Sequence, residues 1–379
     1  MPPWPRPEST PMHFSDPLRI AHIQVHVLRH PIETPVQTSF GIMHDRPAVF
    51  IRITDADGAH GWGEAWCNYP GCGAEHRGRL IETVLWPRLR GRAFDTPFAV
   101  YEHLSAATAV LAIQSGEHGP LAQAIAGLDL AVWDLCARRA GEPLWRFLGG
   151  SRDTVGVYAS GLNPQAPEQL VARKWEEGFR AFKLKIGFEP MRDLENLRRI
   201  RDTAGASATL MADANQAWDL RTALQRVPEL AEFELGWLEE PLRADRPWQE
   251  WLELAARTHI PLAAGENVAS ATAFDALLDF AAVRVVQPDI AKWGGISATL
   301  PVARRIQARG LRYFPHYLGG GIGLLHSAHL LAATGGAGWL EVDANDNPLR
   351  TRFCGRLAAV SEGRASLGDA PGIGMEPEL

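Results

Sequence analysis

Cysteine is scarce: the chain has four in 379 residues, at Cys67, Cys72, Cys136 and Cys354. Four scattered thiols make no disulfide framework, and the Cys67/Cys72 pair lacks the second pair or the paired histidines that would complete a zinc site. Long apolar runs are missing too. No stretch approaches the roughly 18 uninterrupted apolar residues of a membrane span. The opening, MPPWPRPESTPMHFSD, lacks the charged-then-apolar layout of a secretion signal. Nor is there an excess of basic residues: the formal net charge is −6, which argues against a nucleic-acid face or an anionic membrane as partner. What remains is a composition 46% hydrophobic and 22% charged, which excludes a wholly disordered or fibrous chain. The expectation is a cytoplasmic protein long enough for two domains or one large one.

Residues 1–16 contain five prolines and read as a flexible tail. Two strand-like stretches follow, 19–28 and 48–54. The second enters an Asp55-Ala56-Asp57-Gly58 turn and returns over 61–65 as a hairpin. Helical periodicity then dominates to about residue 147, most clearly over 121–135, and stops at Gly149-Gly150. The pattern predicts an α+β module over 17–150.

Beyond Gly150 the texture changes to eight β-branched or aromatic runs: 155–160, 181–187, 209–215, 236–240, 261–266, 283–289, 311–316 and 339–343. Amphipathic helical stretches separate them, and nearly every run ends in a polar or charged residue. From Lys185 through Asp213, Glu239, Glu266, Asp289 and His316 to Glu341, successive intervals are 23 to 28 residues. That length fits one strand, one helix and two short loops. Eight strands leave room for seven helices. The predicted fold is therefore α/β, a modified TIM barrel of the form (β/α)7β over 151–345, with 346–379 returning to the first module. A doubly wound open sheet shares this periodicity and stays open as the alternative.

Strand side chains alternate, so the apolar residues of Phe182-Lys183-Leu184-Lys185 face the helices and both lysines turn into the barrel. Asp213 and Asn215 repeat the pattern one strand later. Asp213, Glu239 and Glu266 end three successive strands, where inward carboxylates repel unless a cation neutralises them. An all-oxygen donor set selects magnesium over zinc. Asp289 and His316 end the sixth and seventh strands, near enough for the carboxylate to orient the imidazole. Lys185 and His316 then approach a bound molecule from opposite sides.

The motifs Phe182-Lys183-Leu184-Lys185, Asp213-Ala214-Asn215, Trp237-Leu238-Glu239-Glu240-Pro241, Gly265-Glu266-Asn267, Gln287-Pro288-Asp289, Pro315-His316 and Trp339-Leu340-Glu341 resemble the enolase superfamily in its mandelate racemase subgroup. The resemblance spans about residues 17–379. It implies that the α+β module is a capping domain completed by the C-terminal segment. The cap's two loops, here 34–46 and 64–73, would close over the substrate. It further implies one Mg2+ per subunit on Asp213, Glu239 and Glu266, with a Lys or His base. The partner is a small-molecule carboxylate, and the assembly a homo-oligomer, from dimer to octamer.

The resemblance also assigns roles. Lys183 touches the substrate carboxylate, and a protonated Glu341 donates to the enediolate formed when the α-proton leaves. Lys185, its pKa lowered by Lys183 and the metal, is the base on one face, while His316, oriented by Asp289, serves the other. Asn215, His44 and Arg46 join Lys183 as expected substrate contacts; the run His44-Asp45-Arg46 suits a hydroxylated acid, including a dianionic one. Sequences keeping Lys-x-Lys with the His/Asp pair resemble acid-sugar dehydratases, so dehydration of an aldonate or aldarate to a 2-keto-3-deoxy acid is the favoured reaction. Racemisation or epimerisation, lactone cycloisomerisation and a catalytically silent magnesium-binding barrel are the alternatives.

Three weaker signals complete the reading. Gly319-Gly320-Gly321-Ile322-Gly323 is expected to be a flexible active-site loop, because it lacks the Lys-Ser/Thr ending of a phosphate cradle. The thirteen tryptophans are spread along the chain and suit packing. His326 and His329 fall on the following helix as packed or solvent-facing residues.

Overall fold

The computed structural model describes residues 17–38 and 41–379; the tail expected over 1–16 lies outside the described residues. Three antiparallel strands open the chain, β1 (Ile20–Thr38), β2 (Gly41–Asp55) and β3 (His60–Ala65), in the spatial order β1-β2-β3. Asp55 shapes the β2–β3 turn: its Oδ1 accepts the Asp57 amide at 3.0 Å. The β1–β2 ribbon is longer than the sequence suggests. Pairing continues through Arg29↔Pro47, His30↔Arg46 and Pro31↔Asp45, then resumes at Val36↔Met43 after an irregularity. Prolines and charges mask this extension, because neither favours a strand. Within the expected loop 34–46, the described residues 34–38 and 41–46 therefore belong to the two paired strands and not to a loop.

The helix His118–Arg139 packs on β3. A Cβ at Gly63 would collide with the carbonyl oxygen of Gly127 and lie 2.6 Å from the Ala131 amide nitrogen, so only glycine admits this approach. By length and composition the helix is apolar enough to cross a membrane, but 89% of its apolar window is buried inside the protein. Counting uninterrupted apolar residues overlooks it, because Gln123, Asp129 and Asp134 break the run. Those polar groups are satisfied internally. Gln123 accepts from Arg77, Asp129 from Ser297, and Asp134 from the Trp62 amide.

Eight parallel strands follow: β4 (Thr154–Leu162), β5 (Ala181–Lys185), β6 (Thr209–Asp213), β7 (Leu238–Glu239), β8 (Leu262–Ala264), β9 (Val285–Val286), β10 (Arg312–Tyr313) and β11 (Trp339–Asp343). Their ladder runs β10-β9-β8-β7-β6-β5-β4-β11, so the sheet curls into a nearly closed ring with β10 and β11 at the seam. Seven helices alternate with them, from Pro167–Glu176 to Gly321–Thr334. This is the (β/α)7β barrel and not an open doubly wound sheet.

Alternation sorts the strand residues as expected. Phe182, Leu184, Leu210, Ala212, Leu238 and Leu340 join the large apolar layer between strands and helices. Inside the ring, Tyr158, Met211, Trp237, Val285 and Phe314 form a buried apolar cluster, with Trp237 edge-on to Tyr158 at 5.4 Å. Polar groups at the next inward positions must then face the C-terminal rim.

A twelfth strand, β12 (Arg364–Ser366), pairs antiparallel with β4. Three residues carry too little alternation for a sequence reading to find it. Further on, Gly372 accepts from the Leu144 amide at 2.7 Å and Ile373 donates to Asp134 at 2.7 Å, which seats the chain's end against the helices of the N-terminal module.

Candidate active site

At the C-terminal rim of the barrel, beneath the N-terminal module, lies a cavity of about 290 Å3. Lys185, Asn215, Glu266, Lys292 and His316 line it from the barrel, and Arg46 and Trp66 from the module. Strand register sets the levels: Lys185 pairs across with Asp213, and Asp213 with Glu239.

The two lysines of β5 are held differently. Lys185 Nζ lies 3.0 Å from Asp213 Oδ2 and donates to Asn215 Oδ1 at 2.6 Å. Lys183, only 1% exposed, sits below the cavity between Glu239 Oε2 at 2.5 Å and Glu341 Oε1 at 2.7 Å. Gln287 Nε2 adds a 2.6 Å hydrogen bond to Glu239. Glu341 also accepts from Ser160 Oγ at 2.5 Å and from the Tyr317 amide at 3.0 Å.

His316 bridges two carboxylates. Its Nδ1 donates to Asp289 Oδ2 at 2.7 Å and its Nε2 to Glu266 Oε2 at 2.5 Å. Asp289 is fixed in turn by the amides of Ala291 and Lys292, at 2.8 and 3.0 Å. Both ring nitrogens therefore carry protons. Burial opposes that charge, but the Glu266 and Glu341 anions and the hydrogen bonds to Asp289 and Glu266 hold the imidazolium pKa well above its ordinary value.

Two protonation expectations change here. Lys183 and the metal were expected to lower the Lys185 pKa; burial and Lys183 do push it down, while among the protein's own groups Asp213 and Glu266 prevail and raise it. Glu341 was expected to be protonated. Burial favours that, but Lys183 and His316, with hydrogen bonds from Lys183 and Ser160, bring its pKa below the ordinary value, so in this arrangement it accepts. Neighbouring charges decide both cases, and their distances cannot be read from sequence.

Asp213, Glu239 and Glu266 each turn toward a cation: Lys185, Lys183, and the pair His316 and Lys292. Among the described residues no three His, Cys, Asp or Glu side chains stand together as ready ligands of an ion. The donor set still fits a hard dication. All three groups are oxygen donors at the rim of adjacent strands, and burial with the mutual repulsion of Asp213, Glu341 and Glu266 raises the Glu239 pKa to about 7 despite Lys183. Extra positive charge between them would relieve that repulsion.

The expected substrate contacts divide. Asn215 and Arg46 line the cavity; Lys183 lies beneath it; His44 is exposed and does not line it. Asp45 reaches Arg29 at 3.0 Å on the surface. Arg46, 2% exposed, pairs with Asp343 of β11. Sequence reasoning passed over several groups. Lys292, 3.3 Å from Glu266 and 5.0 Å above the Trp66 ring, sits three residues past Asp289, a spacing that offered the one available signal. Glu240, directly after Glu239, is buried and accepts from Asn267 Nδ2 at 3.0 Å. The Gly319–Gly323 stretch holds the cap in place of an expected flexible loop: Gly320 and Gly323 amides donate to Glu64 at 2.6 and 2.8 Å. His326 and His329 are packed, the first between the carbonyls of Ile322 and Leu130.

Comparison with known proteins agrees with this architecture. The family description "Enolase C-terminal domain-like" matches residues 167–378, and "Mandelate racemase / muconate lactonizing enzyme, N-terminal domain" matches 22–149. A crystal structure of a mandelate racemase/muconate lactonizing enzyme from Bordetella bronchiseptica RB50 is 58% identical, with a TM-score of 0.91, covering 96% of this chain and 98% of that one. A racemase from Streptomyces coelicolor A3(2), solved with bound magnesium, is 27% identical with a TM-score of 0.85, covering 94% and 97%. Arabinonate dehydratase of Saccharolobus solfataricus is 29% identical over 342 residues, 87% of this chain and 88% of that protein. The chain belongs to the mandelate racemase/muconate lactonizing enzyme family of the enolase superfamily.

Proposed function

We propose that this protein removes the proton α to the carboxylate of an acid sugar and expels a β-hydroxyl as water, giving a 2-keto-3-deoxy acid. The observation that carries the reading is the placement of Lys185 on β5 and His316 beyond β10, both lining the cavity, with the carboxylates of β6, β7 and the β8 end between them. Asp213, Glu239 and Glu266 would hold Mg2+. Bound there, the ion supplies a hard positive charge to the substrate carboxylate and to the negative charge that grows as the α-proton leaves.

The chain's own residues divide the remaining work. Lys185, deprotonated once a dication on Asp213 and Glu266 offsets the two charges that keep it protonated, would take the α-proton from one face. His316 holds a proton on Nε2 and delivers it to the β-hydroxyl, whose C–O bond breaks to release water. Asp289 keeps the ring oriented by holding the Nδ1 proton. Lys183 and Glu341, buried beneath the cavity, form a polar floor for the substrate carboxylate. The enol that remains tautomerises to the 2-keto acid.

One observation favours a second reading. Two proton carriers on opposite sides of one carbon also suit inversion, and one structural neighbour is named a racemase. A screen of the magnesium-loaded protein against aldonic and aldaric acids separates the two. Formation of 2-keto acid supports dehydration; epimerised acid without keto product supports the second reading.

A further inference from the structure

The wall opposite the three carboxylates belongs to β11 and β4, and there Arg46 of the N-terminal module meets Asp343. Both side chains are buried, at 2% and 3% exposure, and both line the cavity. Asp343 is fully engaged. Its Oδ2 faces Arg46, and its Oδ1 accepts from the amide and the side chain of Asn345, each at 3.0 Å. Arg46 is not: its Nη1 is buried and makes no hydrogen bond among the described residues. Arg350 also stands by Asp343 and bonds its carbonyl oxygen but does not line the cavity, so Arg46 is the lining cation that Asp343 pairs. A guanidinium so paired, with one donor left over, suits a neutral oxygen better than an anion.

The other lining cations are matched as well. Lys185 faces Asp213, Lys292 faces Glu266, and His316 faces Glu266 and Asp289. Amides line the cavity throughout: Asn345 follows β11 at the far wall, Asn68 belongs to the N-terminal module, and Asn215, Gln216 and Asn267 follow β6 and β8. Such groups recognise hydroxyls by hydrogen bonding without charge. With the substrate's reacting carboxylate at the β6–β8 side, as proposed above, its far end would point toward the Arg46–Asp343 wall.

We infer that Asp343, by neutralising Arg46, makes the cavity selective for acid sugars with one carboxylate and an uncharged hydroxylated tail, and selects against diacids. This rests on the acid-sugar reading above and narrows it from aldonates and aldarates to aldonates. A second carboxylate at the far wall would lie beside the Asp343 anion, which burial disfavours but which Arg46, Arg350 and the Asn345 hydrogen bonds hold below its ordinary pKa.

The test is calorimetric binding of a six-carbon aldonate and the aldarate of the same configuration to the magnesium-loaded full-length protein, with turnover measured alongside. The aldonate should bind more tightly by about tenfold or more, the scale of one charge-assisted contact. Asp343→Asn, which exposes the Arg46 charge, should move the aldarate-to-aldonate ratio toward the diacid by a similar factor. Equal or tighter binding of the aldarate by the unaltered protein, or binding of neither acid, overturns the inference. So does an unmoved ratio in a folded Asp343→Asn protein. Selective aldonate binding without any turnover upholds the inference while removing the proposed reaction.

Discussion

Glu64, carried by the N-terminal module, accepts the backbone amide of Gly320 in the barrel at 2.6 Å, just before the helix Gly321–Thr334. A helix N-terminus offers unpaired N–H groups and a partial positive charge, so a carboxylate there pins the cap to the barrel beside His316. Burial nevertheless dominates, and it pushes the Glu64 pKa up to about 7 against the Gly323 and Gly320 hydrogen bonds.

A pH signature follows from that shift. Glu64 binds its proton more tightly in the folded chain than in the unfolded one, where the ordinary value is 4.5. Its contribution to stability therefore falls as pH rises from about 4.5 to about 7, by about 3 kcal/mol in all. Glu64→Gln removes this dependence. Chemical denaturation at pH 5 and pH 8 should show the variant gaining stability relative to the parent at the higher pH; a constant difference contradicts the assignment.

Lys183 tests the buried network beneath the cavity. Lys183→Met leaves Glu239 and Glu341 without their shared cation at under 2% exposure. Losing one partner from a buried ion cluster costs about 3–5 kcal/mol. The melting temperature should drop markedly. A variant as stable as the parent would mean that the two carboxylates are already neutral.

The proton carriers should separate activity from folding. Lys185→Ala and His316→Asn are each expected to lower kcat by about 10²–10⁴-fold, the usual worth of a positioned acid or base. Circular dichroism and melting should show an intact barrel. Asp289→Asn acts through His316. It removes the charge of the acceptor at Nδ1, one of the groups raising the imidazolium pKa, so the loss of activity at high pH should begin at lower pH. An unshifted profile would deny Asp289 that role.

Metal dependence has a readout besides turnover. Asp213, Glu239 and Glu266 crowd negative charge at one rim, so magnesium should raise the melting temperature of chelator-treated protein in a saturable way. Glu266→Gln should weaken that response. A melting temperature indifferent to magnesium would argue against these three residues as ligands.

The barrel was legible because its information is periodic. Residues recurring every 23 to 28 positions, with apolar partners at alternate sites as in Phe182-Lys183-Leu184-Lys185, specify strand, helix and inward face together. The cap hairpin was less legible. Pro31, Pro35, Asp45 and Arg46 break its alternation, and the long β1–β2 pairing overrides local preference. Charge partners were not legible at all. That Arg46 meets Asp343, 297 positions away, or that His316 bridges Asp289 and Glu266, depends on side-chain directions that only the folded rim sets.

The most direct measurement is proton exchange at the carbon beside the carboxylate. The magnesium-loaded protein would be incubated with a panel of aldonic acids in deuterated water and followed by nuclear magnetic resonance. At least one acid is expected to lose its α-proton signal with 2-keto product forming; Lys185→Ala should abolish both effects, whereas His316→Asn should abolish the keto product and leave exchange by Lys185 in place. A folded, magnesium-binding protein that leaves every α-proton in place across the panel would contradict the proposed reaction.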